Sequence, residues 1–292
     1  MKAIKLQNDP IEKVYVGLAA EEVAKVKDYR RPPVRFRASE VSQCRRRIWY
    51  RLAGFRPTPD QPWLRLVAEA GGMYHDYVRY LCNHFGVGLT GFKQEGSKQT
   101  EDKYIVGEFN YDGQDFKIAA QADAGIKLDV GGREIEATVE IKSMSFFDYD
   151  KLNSAYKRGG EEAVLEKTKE IHINYLWQGI ATALVKGIDH VYLLLVGRSG
   201  NNLGVSDSPV VPQGTWDPLA GTRRGGVVFE VEPDDRDNLL QKLADISRAL
   251  EQGDPPAPDF VTGSTDCNQC GFWRLCHGKV KTKGLYPVPG VE

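Results

Sequence analysis

Glu140-Ile141-Lys142 closes an alternating run, Ile135-Glu136-Ala137-Thr138-Val139-Glu140-Ile141-Lys142. Residues two apart share a face of a strand, so the Glu140 carboxylate and the Lys142 ammonium point the same way. Upstream, Val130-Gly131-Gly132-Arg133 offers the glycine pair that a two-residue hairpin turn favours. Pairing Val130 with Arg133 carries the register back until Asp123 falls opposite Glu140, with side chains roughly 5 Å apart. Two bare carboxylates there would repel, and a divalent cation between them removes the repulsion. Oxygen-rich ligation suits Mg2+ or Mn2+. Lys142 beside such a cation is placed to hold a water and to stabilise negative charge developing in attack on a phosphodiester. A solvated Glu/Lys pair is the commonplace alternative for the short motif alone. The deduced pairing with Asp123 is what raises it above that.

A second set of reactive groups lies near the C-terminus. Cys267, Cys270 and Cys276 form C-x2-C-x5-C, and Cys44 lies 223 residues before the first of them. Four thiolates suit either zinc or an iron–sulfur cluster, and their spacing does not separate the two. Such a site would tie the two ends of the chain together across a long loop. The fifth cysteine, Cys82, fits no ligand pattern and is expected in the core.

Charge is concentrated beside Cys44. Residues 30–56 hold nine arginines against one acid, Glu40, with Phe36, Trp49, Tyr50 and Phe55 interleaved. Positive charge with aromatic faces is what single-stranded nucleic acid rewards, while a solvated surface of arginine stems packed on apolar neighbours is the ordinary alternative. Over the whole chain 39 Lys and Arg balance 40 Asp and Glu, so no global basic field advertises nucleic acid. The apolar and charged fractions, 41% and 27%, exclude disorder and fibrous repeats. No aliphatic run approaches the roughly 20 residues needed to cross a bilayer, and residues 1–10 carry no apolar secretory stretch. An intracellular, cytoplasmic protein is expected, without a membrane partner.

These groups need elements to position them. The apolar spacing predicts a helix from Trp63 to Phe85, with Gly71-Gly72 marking a break or a close backbone approach. Strands are expected over Tyr104–Phe109, Phe116–Leu128 and Glu134–Lys142, then helices over Glu161–Glu170 and Asn174–Val185, the second stopped by Gly187. His190–Val196 reads as a buried strand, and 197–226 as a long surface excursion. The strand Val227–Val231 is followed by a helix over Asp234–Glu251 with Leu239, Leu240, Leu243, Ile246 and Leu250 on one stripe. The domain organisation expected is a basic segment over 1–60, a core over 61–253, and a cysteine-bearing segment over 254–292 that packs with the first.

The constellation resembles the RecB-like branch of the PD-(D/E)XK nucleases, in particular the CRISPR-associated exonucleases and AddB-type nuclease domains that carry an iron–sulfur cluster. Gly71-x3-His75 is similar to that family's first motif, Asp123 to its metal-binding aspartate, and Glu140-Ile141-Lys142 to its E-x-K. Gln178, in Tyr175-Leu176-Trp177-Gln178-Gly179, is similar to the glutamine of the motif that follows. Cys44 and the C-x2-C-x5-C trio are similar to its split cluster ligation. One departure stands out: where the family has Q-x3-Y, the fourth position after Gln178 is Thr182, and Tyr175, one turn earlier, is the candidate substitute.

The resemblance implies an α/β fold, a mixed sheet flanked by helices with the acidic hairpin at its centre. It implies metal ligation by His75, Asp123, Glu140 and the backbone carbonyl of Ile141. Lys142 would act on the attacking water and Gln178 would orient Lys142 or the phosphate. A [4Fe–4S] cluster on Cys44, Cys267, Cys270 and Cys276 is favoured over zinc. Arg45, Arg46, Arg47, Trp49, Tyr50 and Tyr175 are the candidate DNA-facing groups. The function expected is metal-dependent, single-strand-preferring exonuclease action on DNA with a free end. The alternatives are a structure-specific endonuclease or end-trimming subunit, and a catalytically idle DNA-binding module. Protein partners and oligomeric state have no signature in the sequence.

Overall fold

The computed structural model describes residues 10–27, 35–58, 62–95, 98–101, 104–197, 202–203, 205–206, 224–260, 265–268 and 270–277. In chain order the elements are α1 (Pro10–Lys27), β1 (Phe36–Arg37), α2 (Arg45–Leu52), α3 (Pro62–His84), β2 (Phe92–Glu95), β3 (Lys98–Glu101), β4 (Ile105–Tyr111), β5 (Gln114–Ala120), β6 (Ala124–Val130) and β7 (Arg133–Met144). They continue with α4 (Phe146–Lys186), β8 (His190–Gly197), β9 (Asn202–Leu203), β10 (Val205–Ser206), β11 (Arg224–Gly225), β12 (Val227–Glu230), α5 (Pro233–Gln252), α6 (Thr265–Asn268) and α7 (Trp273–Cys276). The fold is mixed α/β. Contacts divide the chain into one unit of residues 35–43 and 71–247 and another of residues 1–34, 44–70 and 248–292.

In the first unit, the main sheet runs β12-β8-β7-β6, with β9 added to β8. β7 pairs antiparallel with β6 and parallel with β8. Gly131 and Gly132 take φ of 63° and 82°, the left-handed geometry of a type I′ turn that only glycine adopts freely. The register follows from that turn: Val130 faces Arg133, and the ladder runs back to Ala124 opposite Val139. β7 lies inside the sheet, whereas β6 lies at its edge, so the hairpin is not central.

The two faces of β7 bury different partners. Ala137, Val139 and Ile141 pack with Val78 of α3 and with Leu194 and Val196 of β8. On the other face Met144 packs with Leu152, Val164 and Leu176 of α4 and Leu193 and Leu195 of β8. A second mixed sheet, β1-β5-β4, is braced by Phe116, which meets Phe36 edge-on at 5.7 Å and stacks with Phe109 at 6.1 Å. The expected strand over Phe116–Leu128 is therefore two strands in two sheets, and the chain turns between them at 121–123. Asp123 sits at that corner.

α3 runs through Gly71-Gly72 without a break. A Cβ at Gly71 would meet Ser143 Oγ only at ordinary contact distance, 3.7 Å, so packing of the helix outweighs the propensity cost. α4 is interrupted at Gly159, Gly160 and His172, whose φ/ψ are non-helical, which leaves helical stretches where Glu161–Glu170 and Asn174–Val185 were expected. Ser145 caps its start by accepting from the Asp148 N–H at 3.2 Å, and Gly187 ends it at φ 67°. In α5, Leu239, Leu243 and Ile246 are fully buried, as the stripe requires. Most of the 197–226 excursion lies outside the described residues.

In the second unit, α2 buries Ile48, Trp49, Tyr50 and Leu52. Tyr50 stacks on Phe272 at 5.6 Å and meets Phe55 edge-on at 5.1 Å. The Thr58 N–H donates to the Gly271 carbonyl at 2.8 Å, so N-terminal and C-terminal segments share this small core.

Candidate active site and cysteine cradle

β7 delivers Glu140 and Lys142, the corner before β6 delivers Asp123, α3 delivers His75, and the last helical stretch of α4 delivers Gln178. The structure brings these five together. His75 Nδ1 lies 3.0 Å from Asp123 Oδ1, and the other carboxylate oxygen accepts the Ile141 N–H at 2.7 Å. Asp123 thus stands across from Glu140 by leaving the ladder and folding its carboxylate onto the β7 backbone. Lys142 Nζ lies 2.9 Å from Glu140 Oε2 and donates to Gln178 Oε1 at 3.0 Å. Its ammonium also lies 5.7 Å from the centre of the Tyr175 ring, a cation–π distance.

Glu140 is wholly buried, and Lys142 and Asp123 nearly so. α4 covers this face, so the solvated Glu/Lys alternative does not hold. Glycine makes the cover fit: a Cβ at Gly179 would stand 2.8 Å from Val191 Cγ1 and 3.6 Å from Glu140 Cγ, so α4 can lie this close only where the residue after Gln178 has no side chain.

Burial and charge act against each other at all three groups. Burial would raise the Asp123 carboxyl, but the hydrogen bond and charge of His75, the charge of Lys142 and the Ile141 N–H outweigh it and hold the group below its ordinary range. Glu140 moves the other way: burial raises it and Asp123 adds to the rise, against Lys142 and Thr182. For Lys142, burial disfavours the ammonium, yet Glu140 and Asp123 outweigh it and raise its affinity for the proton. Two neighbouring carboxyls pushed apart in this way are a recurrent feature of acid–base sites.

Two partners carry no sequence signal of comparable strength. Arg79, 1% exposed, donates from Nε to the Asp123 carbonyl at 2.9 Å and from Nη2 to Asp123 Oδ1 at 3.3 Å. It stands one helical turn beyond His75, and that i,i+4 spacing is the clue available to sequence reasoning. Thr182, the residue that breaks the Q-x3-Y pattern, donates to Glu140 Oε1 at 3.1 Å and lies 2.9 Å from the Gln178 carbonyl. It serves the same carboxylate from the next turn of α4.

Among the described residues, no three His, Cys, Asp or Glu side chains already converge as a bound ion requires. The chemistry at Glu140 nevertheless suits a cation. Its Oε2 is buried and pairs with the Lys142 ammonium at 2.9 Å. Carboxylates with an imidazole are ligands for hard divalent ions.

The cysteines occupy the second unit. The thiol of Cys270 is pushed up by burial, while the Phe272 N–H and the nearby Arg47 pull it down and Cys44 and Cys276 act as neighbouring thiols. Cys82 belongs to the other unit and packs with Val78 and the sheet.

The neighbouring basic and aromatic groups differ from expectation. Trp49 and Tyr50 are 4% and 7% exposed; Trp49 packs against Phe55 and Tyr50 stacks on Phe272, so neither face is open to bases. Arg45 donates from its N–H and from Nε to the Asp259 carboxylate at 2.8 and 2.7 Å, and Arg46 donates from Nε to the Pro256 carbonyl at 2.7 Å. Tyr175 stacks on His172 at 4.6 Å beside Lys142.

No protein-family model matches this chain, and no curated protein matches it. Among solved structures, the crystal structure of SSO0001 is similar with a TM-score of 0.47 and 14% identity, covering 92% of this chain and 98% of that one.

Proposed function

We propose that the protein is a metal-dependent deoxyribonuclease of the RecB-like PD-(D/E)XK type, acting exonucleolytically on single strands. The observation that carries the reaction class is the fully buried Glu140 carboxylate, held 2.9 Å from the Lys142 ammonium and raised above its ordinary range by burial and by Asp123. Glu140, Asp123 and His75 would hold Mg2+ or Mn2+, and a bound ion would polarise the scissile phosphate as a Lewis acid. Arg79 and the Ile141 N–H fix the Asp123 carboxylate. Gln178 and Glu140 hold the Lys142 ammonium at one place, where it donates hydrogen bonds to an attacking water or to the charge that builds on the phosphate. The preference for single strands rests on the family resemblance, since Trp49 and Tyr50 are core residues. Cys44, Cys267, Cys270 and Cys276 would hold a [4Fe–4S] cluster, which supplies cross-linking of the unit that carries both chain ends.

The test is digestion of end-labelled single-stranded DNA with Mg2+ or Mn2+ under anaerobic conditions, alongside circular single-stranded DNA. Wild type is expected to degrade the linear strand and leave the circle intact. Lys142→Ala is expected to lose cleavage by at least 100-fold, within the range for a positioned acid–base or charge-stabilising group, while still binding DNA. A wild type inert with both metals would refute the enzymatic reading, and cutting of the circle would refute the exonuclease.

A further inference from the structure

Two cysteine sulfurs of the second unit accept an N–H group, and a third lies beside an imidazole nitrogen. The Asp259 N–H donates to Cys44 Sγ at 3.4 Å. Arg46 Nη1 donates to Cys276 Sγ at 3.7 Å. Cys267 Sγ lies 3.3 Å from His277 Nε2, a donor in the Nε2–H tautomer. We infer that Arg46 and His277, with the backbone N–H of Asp259, form a donor shell that positions Cys276, Cys267 and Cys44 as metal ligands. The inference rests on the reading of the four cysteines as a metal centre and deepens it.

The donors are themselves fixed. Arg46 is aimed because its Nε is tied to the Pro256 carbonyl at 2.7 Å. The Asp259 backbone is held because its carboxylate takes two donors from Arg45. The His277 ring lies 5.0 Å from that of Trp273, and its backbone N–H is bonded to the Trp273 carbonyl at 3.0 Å. Arg45 and Arg46 thus act on these cysteines: one holds a donor and one is a donor. A thiolate is the ligand form of cysteine, and nearby N–H groups and cations stabilise it. Hydrogen bonds to the sulfurs also set the redox behaviour of any iron centre they carry. Cys82, in the other unit, is affected by burial alone. Arg46 and His277 are therefore positioning residues of the centre, and the arginine run has work inside the protein.

The full-length protein, made metal-free under anaerobic conditions, is loaded in parallel with Co2+ alone and with ferrous iron plus sulfide. The sulfur-to-metal charge-transfer absorption is then followed as a chelator is titrated. Arg46→Met and His277→Phe are each expected to lose metal at about 10–100-fold lower chelator, the usual cost of removing a partner of metal ligands. His277→Gln, which keeps an N–H donor, is expected to recover most of that loss, a rescue that a purely space-filling role would not give. Wild-type retention in both Arg46→Met and His277→Phe would overturn the donor shell while leaving the metal centre intact. Equal loss in His277→Gln and His277→Phe would also overturn it. A wild type that develops no charge-transfer band with either loading would refute the metal centre itself, and the donor shell with it. Should Arg46→Met fail to fold, the two His277 variants decide the matter.

Discussion

Arg79→Met removes a guanidinium that is 1% exposed and keeps an unbranched stem to fill its channel. Two donated hydrogen bonds disappear, one to the Asp123 carbonyl at 2.9 Å and one to its carboxylate at 3.3 Å. The third contact, to Asp76 at 3.4 Å, involves an acid whose side chain is 64% exposed and contributes little. Charged hydrogen bonds are worth about 1.5–3 kcal/mol each, and removing one partner of a buried ion pair costs about 3–5 kcal/mol. His75 and the Ile141 N–H still serve the carboxylate, so the lower end, about 3 kcal/mol, is expected. At a urea dependence of about 2 kcal/mol per M, the midpoint followed by circular dichroism moves down by about 1.5 M. Arg79→Lys, which keeps the charge and loses the fork, is expected to fall between. A midpoint for Arg79→Met within 0.3 M of wild type would refute the claim that this buried cation holds Asp123 in place.

Gly179→Ala is expected to push α4 off Val191 and Glu140, costing about 1–3 kcal/mol for overpacking and weakening cleavage more than DNA binding; a fully active, equally stable variant would show that the close approach is dispensable. Burial lowers the His172 imidazole from its ordinary 6.5, although Asp148 at 3.4 Å acts the other way. The unfolded chain therefore binds more protons than the folded one just below that value, so stability falls as the pH drops through about 6.5. His172→Gln is expected to flatten that part of a stability-against-pH curve, and an unchanged slope would place the titrating group elsewhere.

The hairpin was legible in the sequence because its register depends on local facts: two glycines at the bend and strict alternation beyond them. That register leads to Asp123 opposite Glu140. How Asp123 gets there was not legible. It lies at a corner between two sheets, and apolar alternation runs from Phe116 to Leu128 without marking the switch. The burial of the Glu140 face was not legible for a related reason, since α4 covers it from 42 residues along the chain. Arg79 escaped notice because a charged residue on an amphipathic helix is ordinarily solvated. Trp49 and Tyr50 looked like exposed stacking groups because their neighbours are arginines. Phe272, which helps bury Tyr50, is more than 200 residues away, and local composition carries no record of it. The cysteine spacing suggested a shared site, whereas the N–H donors to Cys44 and Cys276 from Asp259 and Arg46 depend on the fold.

Parallel pairing of β7 with β8 obliges the chain to travel through the whole 41-residue α4 before the second strand can be laid down. The acids reach each other through a nearby bend, a contact of short sequence separation that forms cheaply. Gln178 and Thr182 ride on the far end of the crossover, so the lysine acquires its hold and Glu140 its cover only once that excursion has closed. A nascent chain that has emerged no further than the hairpin therefore carries Asp123, Glu140 and Lys142 without the helix that covers and holds them.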